Sequence, residues 1–204
     1  MAWRKRQGKL RQIAEGLVKV GALQFGPFTL PSGSESSYQV NLRGLPSHPD
    51  VFKLVVESMK SLLLSKAPKA KALCGVPVAG LTIAAPVALE IGKPLVYVRA
   101  SRQPNERRIE GELKPGWRVA ILHDLAASGK TILETARLVQ QEGADVKDAL
   151  VLIDRLEGAR ERLGKEGIAL HSVTDVVELA DTLYSMELIR EADLKAIAKS
   201  VGGR

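Results

Sequence analysis

The sequence predicts an α/β fold, a mostly parallel sheet held between helix layers, and three observations carry that expectation. From residue 71 onward, short apolar runs alternate with stretches of helical periodicity. The runs KALCGV, PLVYVR, RVAILHDL, ALVLIDR and ALHSVTDV are apolar on both faces, the pattern of parallel strands buried from both sides. The chain, 204 residues and 45% hydrophobic, can close one substantial core, with no repeat or low-complexity linker to divide it.

The elements follow in order. Leu10, Ile13, Leu17, Val18 and Leu23 stand near helical spacing, which predicts a helix over 8–22. The next stretch, FGPFTLPSGSESSYQVNLRGLPSHPD, is dense in Gly, Pro and Ser. It reads as a hairpin-like hood with turns at Gly26-Pro27 and Ser32-Gly33. Asp50 is placed to cap a helix whose apolar face is Val51, Leu54, Val55 and Met59. Helices over 81–91, 130–142 and 159–166 then separate the apolar runs. From Glu178 the tail reads as two helices, the second carrying Leu188, Ala192, Leu194 and Ile197. The domain division expected is 1–183, with the hood at about 22–48 and the core at about 50–183, then a helical extension over 184–204.

Composition narrows the functional classes. No apolar run is long enough to span a bilayer, and the basic start is not followed by the apolar stretch of a signal peptide. The lone Cys74 excludes an internal disulfide framework and any multi-cysteine metal site, so the cytoplasm is the expected address. The net charge of +7 favours anionic partners. Five of those charges (Arg4, Lys5, Arg6, Lys9 and Arg11) fall within the first eleven residues. A nucleic-acid contact is therefore expected only through that N-terminus, and a solvated helix start explains the same run.

The densest local signal is RVAILHDLAASGKTILE, residues 118–134. An apolar strand runs into Asp124, the small residues of Ala126-Ala127-Ser128-Gly129 follow, and Lys130-Thr131 opens a helix. Small side chains let backbone N–H groups turn inward around a phosphate, and the helix N-terminus adds unpaired donors and a favourable dipole. Asp124 suits sugar hydroxyls or a hydrated Mg²⁺. The GKT triplet lacks the first glycine of a P-loop. Taken alone, the segment would also suit a strand–turn–helix with no ligand.

This segment resembles the phosphoribosyl diphosphate motif of type I phosphoribosyltransferases. FGPFTLPSG with SSYQVNLRG, CGVPVAGLTIA, PLVYVR, RRIEGELKPG, ILETARLVQQEGADVKDALVLIDRLEG and GIALHSV resemble, in order, stretches of the orotate phosphoribosyltransferase family, including that half of UMP synthase. The resemblance runs from about residue 17 to 183. It implies a type I phosphoribosyltransferase fold with a small N-terminal hood and a helical C-terminal tail. The implied activity converts orotate and 5-phosphoribosyl 1-diphosphate, with Mg²⁺, to orotidine 5′-monophosphate and diphosphate.

The same resemblance implies the roles. Leu125, Ala126, Ala127, Ser128, Gly129, Lys130 and Thr131 surround the 5′-phosphate, and Asp124 holds the ribose hydroxyls and, indirectly, the metal. The loop GVPVAG, with Val78 and Ala79, and Arg99 face the diphosphate. Ser32, Tyr38, Ala127 and Arg155 belong to the orotate site, and Arg155 is suited to its carboxylate. Asp124 and Arg102 are the expected catalytic residues, and a homodimer is the expected assembly.

Four departures stand against the family pattern. His123 occupies the place of the first of two adjacent acids, Ala127 that of a threonine, and Pro31 that of a hood lysine. The segment after Arg99 reads ASRQPNERR, with no lysine before Lys114, where Arg102, Arg107 or Arg108 could supply positive charge. They motivate the alternative, a non-catalytic relative that binds a nucleotide or phosphoribosyl diphosphate as a sensor or regulator. A transferase acting on another base is the third reading.

Overall fold

The computed structural model describes residues 2–29, 35–99 and 108–202. They form two compact units, residues 1–55 with 174–204, and residues 56–173.

In the first unit, α1 (Ala2–Lys19) buries Leu10, Ile13, Ala14 and Leu17, the i, i+3, i+4, i+7 stripe of an amphipathic helix. β1 (Leu23–Thr29) and β2 (Glu35–Val40) pair antiparallel, followed by a 3₁₀ turn at Leu45–Ser47. α2 (Pro49–Lys66) starts here and continues into the second unit.

The second unit holds most of a six-stranded sheet. Its strands are β3 (Ala72–Gly75), β4 (Leu95–Val98), β5 (Ile109–Glu110), β6 (Arg118–Ala126), β7 (Asp145–Asp154) and β8 (Ala169–Asp175). They lie in the order β5-β4-β3-β6-β7-β8. The pairs β3–β4, β3–β6 and β6–β7 are parallel, and β5 is antiparallel to β4. The connecting helices are α3 (Ala79–Ile91), α4 (Lys130–Gln141) and α5 (Ala159–Gly164). α4 turns Ile132, Leu133, Ala136 and Val139 onto the strand face carrying Cys74, Ile121 and Val151, while Lys130, Glu134 and Arg137 face outward. α3 covers the opposite face, where Leu81 and Ala84 meet Gly75. The sheet is thus covered from both sides, as the doubly apolar strands require. Cys74 is fully buried within it, and burial pushes its thiol up to about 12.

β8 ends in the first unit, where α6 (Val176–Ser185) and α7 (Glu191–Gly202) close the chain. Asp175 caps α6, its Oδ1 accepting the N–H groups of Val177 and Glu178 at 3.0 and 2.8 Å. Arg6 of α1 grips the Glu178 carboxylate with both Nη atoms, at 2.5 and 2.8 Å. That hydrogen bond raises the Arg6 pKa.

Several boundaries differ from expectation. α1 runs over residues 2–19, not 8–22: the basic run continues the helix ahead of its apolar stripe, and Leu23 already begins β1. Gly26-Pro27 makes no turn: both lie within β1, where the register slips between Phe25 and Phe28 and absorbs the extra residue as a bulge. The Ser32-Gly33 turn falls outside the described residues. Asp50 is no cap. Pro49 is already helical and the His48 carbonyl accepts from Phe52 N–H, so Asp50 sits in the first turn, where its charge suits the dipole. Leu188 lies in the link between α6 and α7, not in the second tail helix.

Candidate functional site

The carboxyl ends of parallel strands are where an α/β sheet binds ligands, and the second unit collects most of the sequence-predicted residues there. β6 is buried from Val119 to Leu122; His123 is half-buried and Asp124 buried at its carboxyl end. The chain then turns through residues 126–129 into α4. Gly129 makes the turn in the left-handed region, at φ 75°. A side chain there would be strained and would also meet Ala159 at 3.0–3.1 Å. The loop encloses a cavity of about 120 Å³ lined by His123, Leu125 and residues 126–132, beside the first turn of α4. Its size and position suit one tetrahedral anion over a helix N-terminus.

Asp124 is buried, and its Oδ1 accepts the Leu125 N–H at 2.9 Å. The same oxygen lies 2.5 Å from His123 Nδ1, while the Asp124 N–H also points at Nδ1 from 2.8 Å. One ring nitrogen cannot accept from the amide and donate to the carboxylate at once. The hydrogen bond with sound geometry is the one from the Asp124 amide, so Nδ1 accepts there and the carboxylate makes only a close contact with the ring. His123 thus holds the Asp124 backbone N–H and lies against its neighbour's carboxylate rather than standing in for a second acid.

Next to β6, the β3–α3 connection brings Val78 and Ala79 to the same edge, joined to β6 by the Val76 N–H bond to Leu122 O at 3.0 Å. Val78 is exposed and Ala79 nearly buried. Gly80 passes so close to β6 that an added Cβ would lie 2.6 Å from Leu122 O and 2.9 Å from His123 Cα. Beyond β3, Arg99 leaves the end of β4. Its N–H donates to Arg108 O at 2.8 Å, and its Nε lies 3.5 Å from Glu110 Oε1. Arg102 falls outside the described residues, as does Ser32.

On the far side of β6, Arg155 follows β7. Its N–H donates to Ala126 O at 2.8 Å and the Ala159 N–H to Ala127 O at 3.1 Å, so this connection is laced to the small-residue loop. Arg155 is 8% exposed and pairs with Glu157, Nη2 to Oε1, at 2.9 Å. Asp154, 1% exposed, accepts from the Leu156 N–H at 2.9 Å and from Arg160 Nη2 at 3.0 Å. Sequence reasoning passed over Asp154, Glu157 and Arg160; the run IDRLEGAR shows only alternating charge until the fold brings the groups together. Tyr38 belongs to the first unit and is 1% exposed.

A magnesium ion would find few protein ligands here. Among the described residues no group of three or more His, Cys, Asp or Glu could hold a metal. Mg²⁺ is commonly held by one or two carboxylates, waters and substrate phosphates, a set to which Asp124 could contribute. Among the described residues no helix is long and apolar enough to cross a membrane.

Residues 45–177 match the model of the phosphoribosyl transferase domain. The chain is 38% identical to the orotate phosphoribosyltransferase of Cenarchaeum symbiosum over 173 residues, 83% of this chain and 86% of that one. Among solved structures it is similar to the UMP synthase of Leishmania donovani, with a TM-score of 0.86 at 31% identity, covering 95% of this chain and 42% of that one. It is also similar to the orotate phosphoribosyltransferase of Aeropyrum pernix, with a TM-score of 0.76 at 31% identity, covering 87% and 99%.

Proposed function

The chain belongs to the phosphoribosyl transferase family, on its orotate phosphoribosyltransferase branch, and from that premise we propose that it joins orotate to 5-phosphoribosyl 1-diphosphate. The C1′–O bond to diphosphate breaks, its electron pair leaving with the diphosphate. The orotate N1, which gives up its proton, forms the new bond to C1′, and orotidine 5′-monophosphate results. No covalent enzyme intermediate is needed. The protein's work is to orient the two substrates and to stabilise charge as it separates.

The observation that carries this reading is the β6–loop–α4 pocket with Arg155 laced to its rim. Residues 125–131 are assigned to the 5′-phosphate. Asp124 is assigned to the ribose: its Oδ1 is engaged by His123 and Leu125, so Oδ2 is the oxygen for a hydroxyl. Val78, Ala79 and Arg99 are assigned to the diphosphate, and Arg102 to the charge it gains on leaving. Mg²⁺, bound by the diphosphate, would offset that charge as well. Arg155 receives the orotate carboxylate. Ser32 and Ala127 complete the base site; Tyr38 supports the hood from within.

A cytoplasmic homodimer is the form proposed. Nucleic-acid binding is disfavoured by the Arg6–Glu178 pair, which takes one cation of the basic run out of play.

The test mixes purified protein with orotate, phosphoribosyl diphosphate and Mg²⁺ and follows orotidylate by mass. Turnover is expected, and Asp124→Asn should lower kcat on the order of a hundredfold, the size of one lost transition-state contact. Folded wild-type protein that forms no orotidylate would remove the catalytic reading in favour of a binding-only relative.

A further inference from the structure

Arg155 poses a problem whenever the base site is empty. A guanidinium that is 8% exposed has lost most of its water, and an unopposed charge in such a place is costly. A flexible arginine would escape by swinging into solvent and would then have to be recaptured for each substrate. The structure holds it instead. Glu157 Oε1 lies 2.9 Å from Arg155 Nη2, and the exposures of the two side chains are 9% and 17%. At that burial the pair is little screened, unlike the surface ion pairs elsewhere on the chain.

The segment that presents Glu157 is itself fixed at both ends. Asp154 Oδ1 accepts the Leu156 N–H, and Leu156 takes a left-handed conformation at φ 59°. Asp154 Oδ2 accepts from Arg160 Nη2, while Arg160 Nη1 donates to the Leu170 carbonyl at 2.9 Å. The N–H groups of Arg155 and Ala159, before and after Glu157, are tied to the phosphate loop at Ala126 and Ala127. These backbone anchors around the Arg155–Glu157 pair are made without either of the two side chains.

We infer that Glu157 is a positioning residue for base recognition: it holds the Arg155 guanidinium in place for the orotate carboxylate and compensates its charge while the site is empty. This rests on the orotate reading of the site. Glu157 does not touch the reacting atoms, so its loss weakens orotate capture and leaves the phosphoribosyl diphosphate side alone. It also sets selectivity. A base lacking the carboxylate gains nothing from a correctly aimed guanidinium and is insensitive to its loss.

The test compares steady-state kinetics of wild type, Glu157→Gln and Glu157→Ala, with orotate and with uracil as bases, on proteins whose folding is checked by thermal melting. Gln keeps an oxygen that can accept from Nη2 but carries no charge; Ala keeps neither. The expected order is a KM for orotate raised a fewfold in Glu157→Gln and about tenfold or more in Glu157→Ala, a change that corresponds to about 1.4 kcal/mol. The KM for phosphoribosyl diphosphate should stay within about twofold, and the preference for orotate over uracil should shrink in the same order. The Gln variant alone suffices if the Ala variant does not fold. Orotate KM unchanged in the folded variants, or both substrates' KM values rising together, overturns the positioning role while the function stands. Folded wild type that forms no orotidylate overturns both, and is seen before any variant is measured.

Discussion

An alanine at position 80 would bring its methyl group to 2.6 Å from a carbonyl oxygen and 2.9 Å from a Cα, both backbone atoms of β6 that have little room to retreat. Gly80→Ala should therefore destabilise by about 2 kcal/mol, with Tm falling on the order of 5 °C. Because the displaced residue is His123, whose ring contacts the Asp124 carboxylate, kcat should fall more than stability alone explains. Denaturation and turnover on the same preparation check this; a stable, fully active variant would show that the close approach is not needed. Single residues are also where the sequence was hardest to read. His123 stood out as a missing acid, and its contact with Asp124 became visible only when the strand end set its ring 2.5 Å from Asp124 Oδ1. Glu157 gave no signal, because opposite charges two residues apart in a loop meet only if the backbone between them bends, as it does at Leu156.

Among elements, those with a long period were legible and those set by one or two residues were not. α4 could be read from its stripe and β6 from its unbroken apolar run, since burial on one side or on both writes a repeating pattern. β5 is two residues long and has no period to read. The Gly26-Pro27 pair has the composition of a turn, but a bulge satisfies the same residues inside a strand. The start of α7 is likewise a local device. Asp193 accepts the Arg190 N–H at 3.1 Å and pairs with the Arg190 guanidinium at 2.9 and 3.0 Å, so it closes the helix end from within the first turn. The side-chain hydrogen bond from Arg190 holds its carboxyl below the usual range. A depressed folded pKa adds stability above the unfolded value of about 4, and that stability is lost as pH falls through the folded pKa. Asp193→Asn should thus lower Tm slightly at pH 7, by the worth of an exposed cap, on the order of 0.5 kcal/mol. The gap between variant and wild type should close as pH falls through the depressed folded pKa, when the carboxylate is protonated in both states. A gap that persists there would mean that the carboxylate's charge is not what stabilises the helix end.

At the scale of the whole molecule, the sequence carried the fold class and the place of the small-residue loop between β6 and α4, because both follow from strands buried on two faces. It did not carry the return of the chain after β8, where α6 and α7 join the N-terminal residues in one compact unit. That grouping depends on contacts such as Arg6 to Glu178, 172 positions apart, which no local pattern records. The central sheet also contains a means of watching itself. Cys74 is the chain's only thiol, it lies on a strand hydrogen-bonded on both sides, and burial keeps it protonated. An alkylating reagent can reach it only when α4 lifts from that face or the sheet itself opens, so labelling kinetics report the opening of the layer over the strand that leads into the loop of Val78 and Ala79. Modification in native buffer should be slower than in denaturant by orders of magnitude. Phosphoribosyl diphosphate at a hundred times its Kd should slow it about a hundredfold further if the open form cannot bind. Labelling at the speed of a free thiol would show that the sheet breathes at its centre; slow labelling unaffected by the ligand would show that the strand opens without the site noticing.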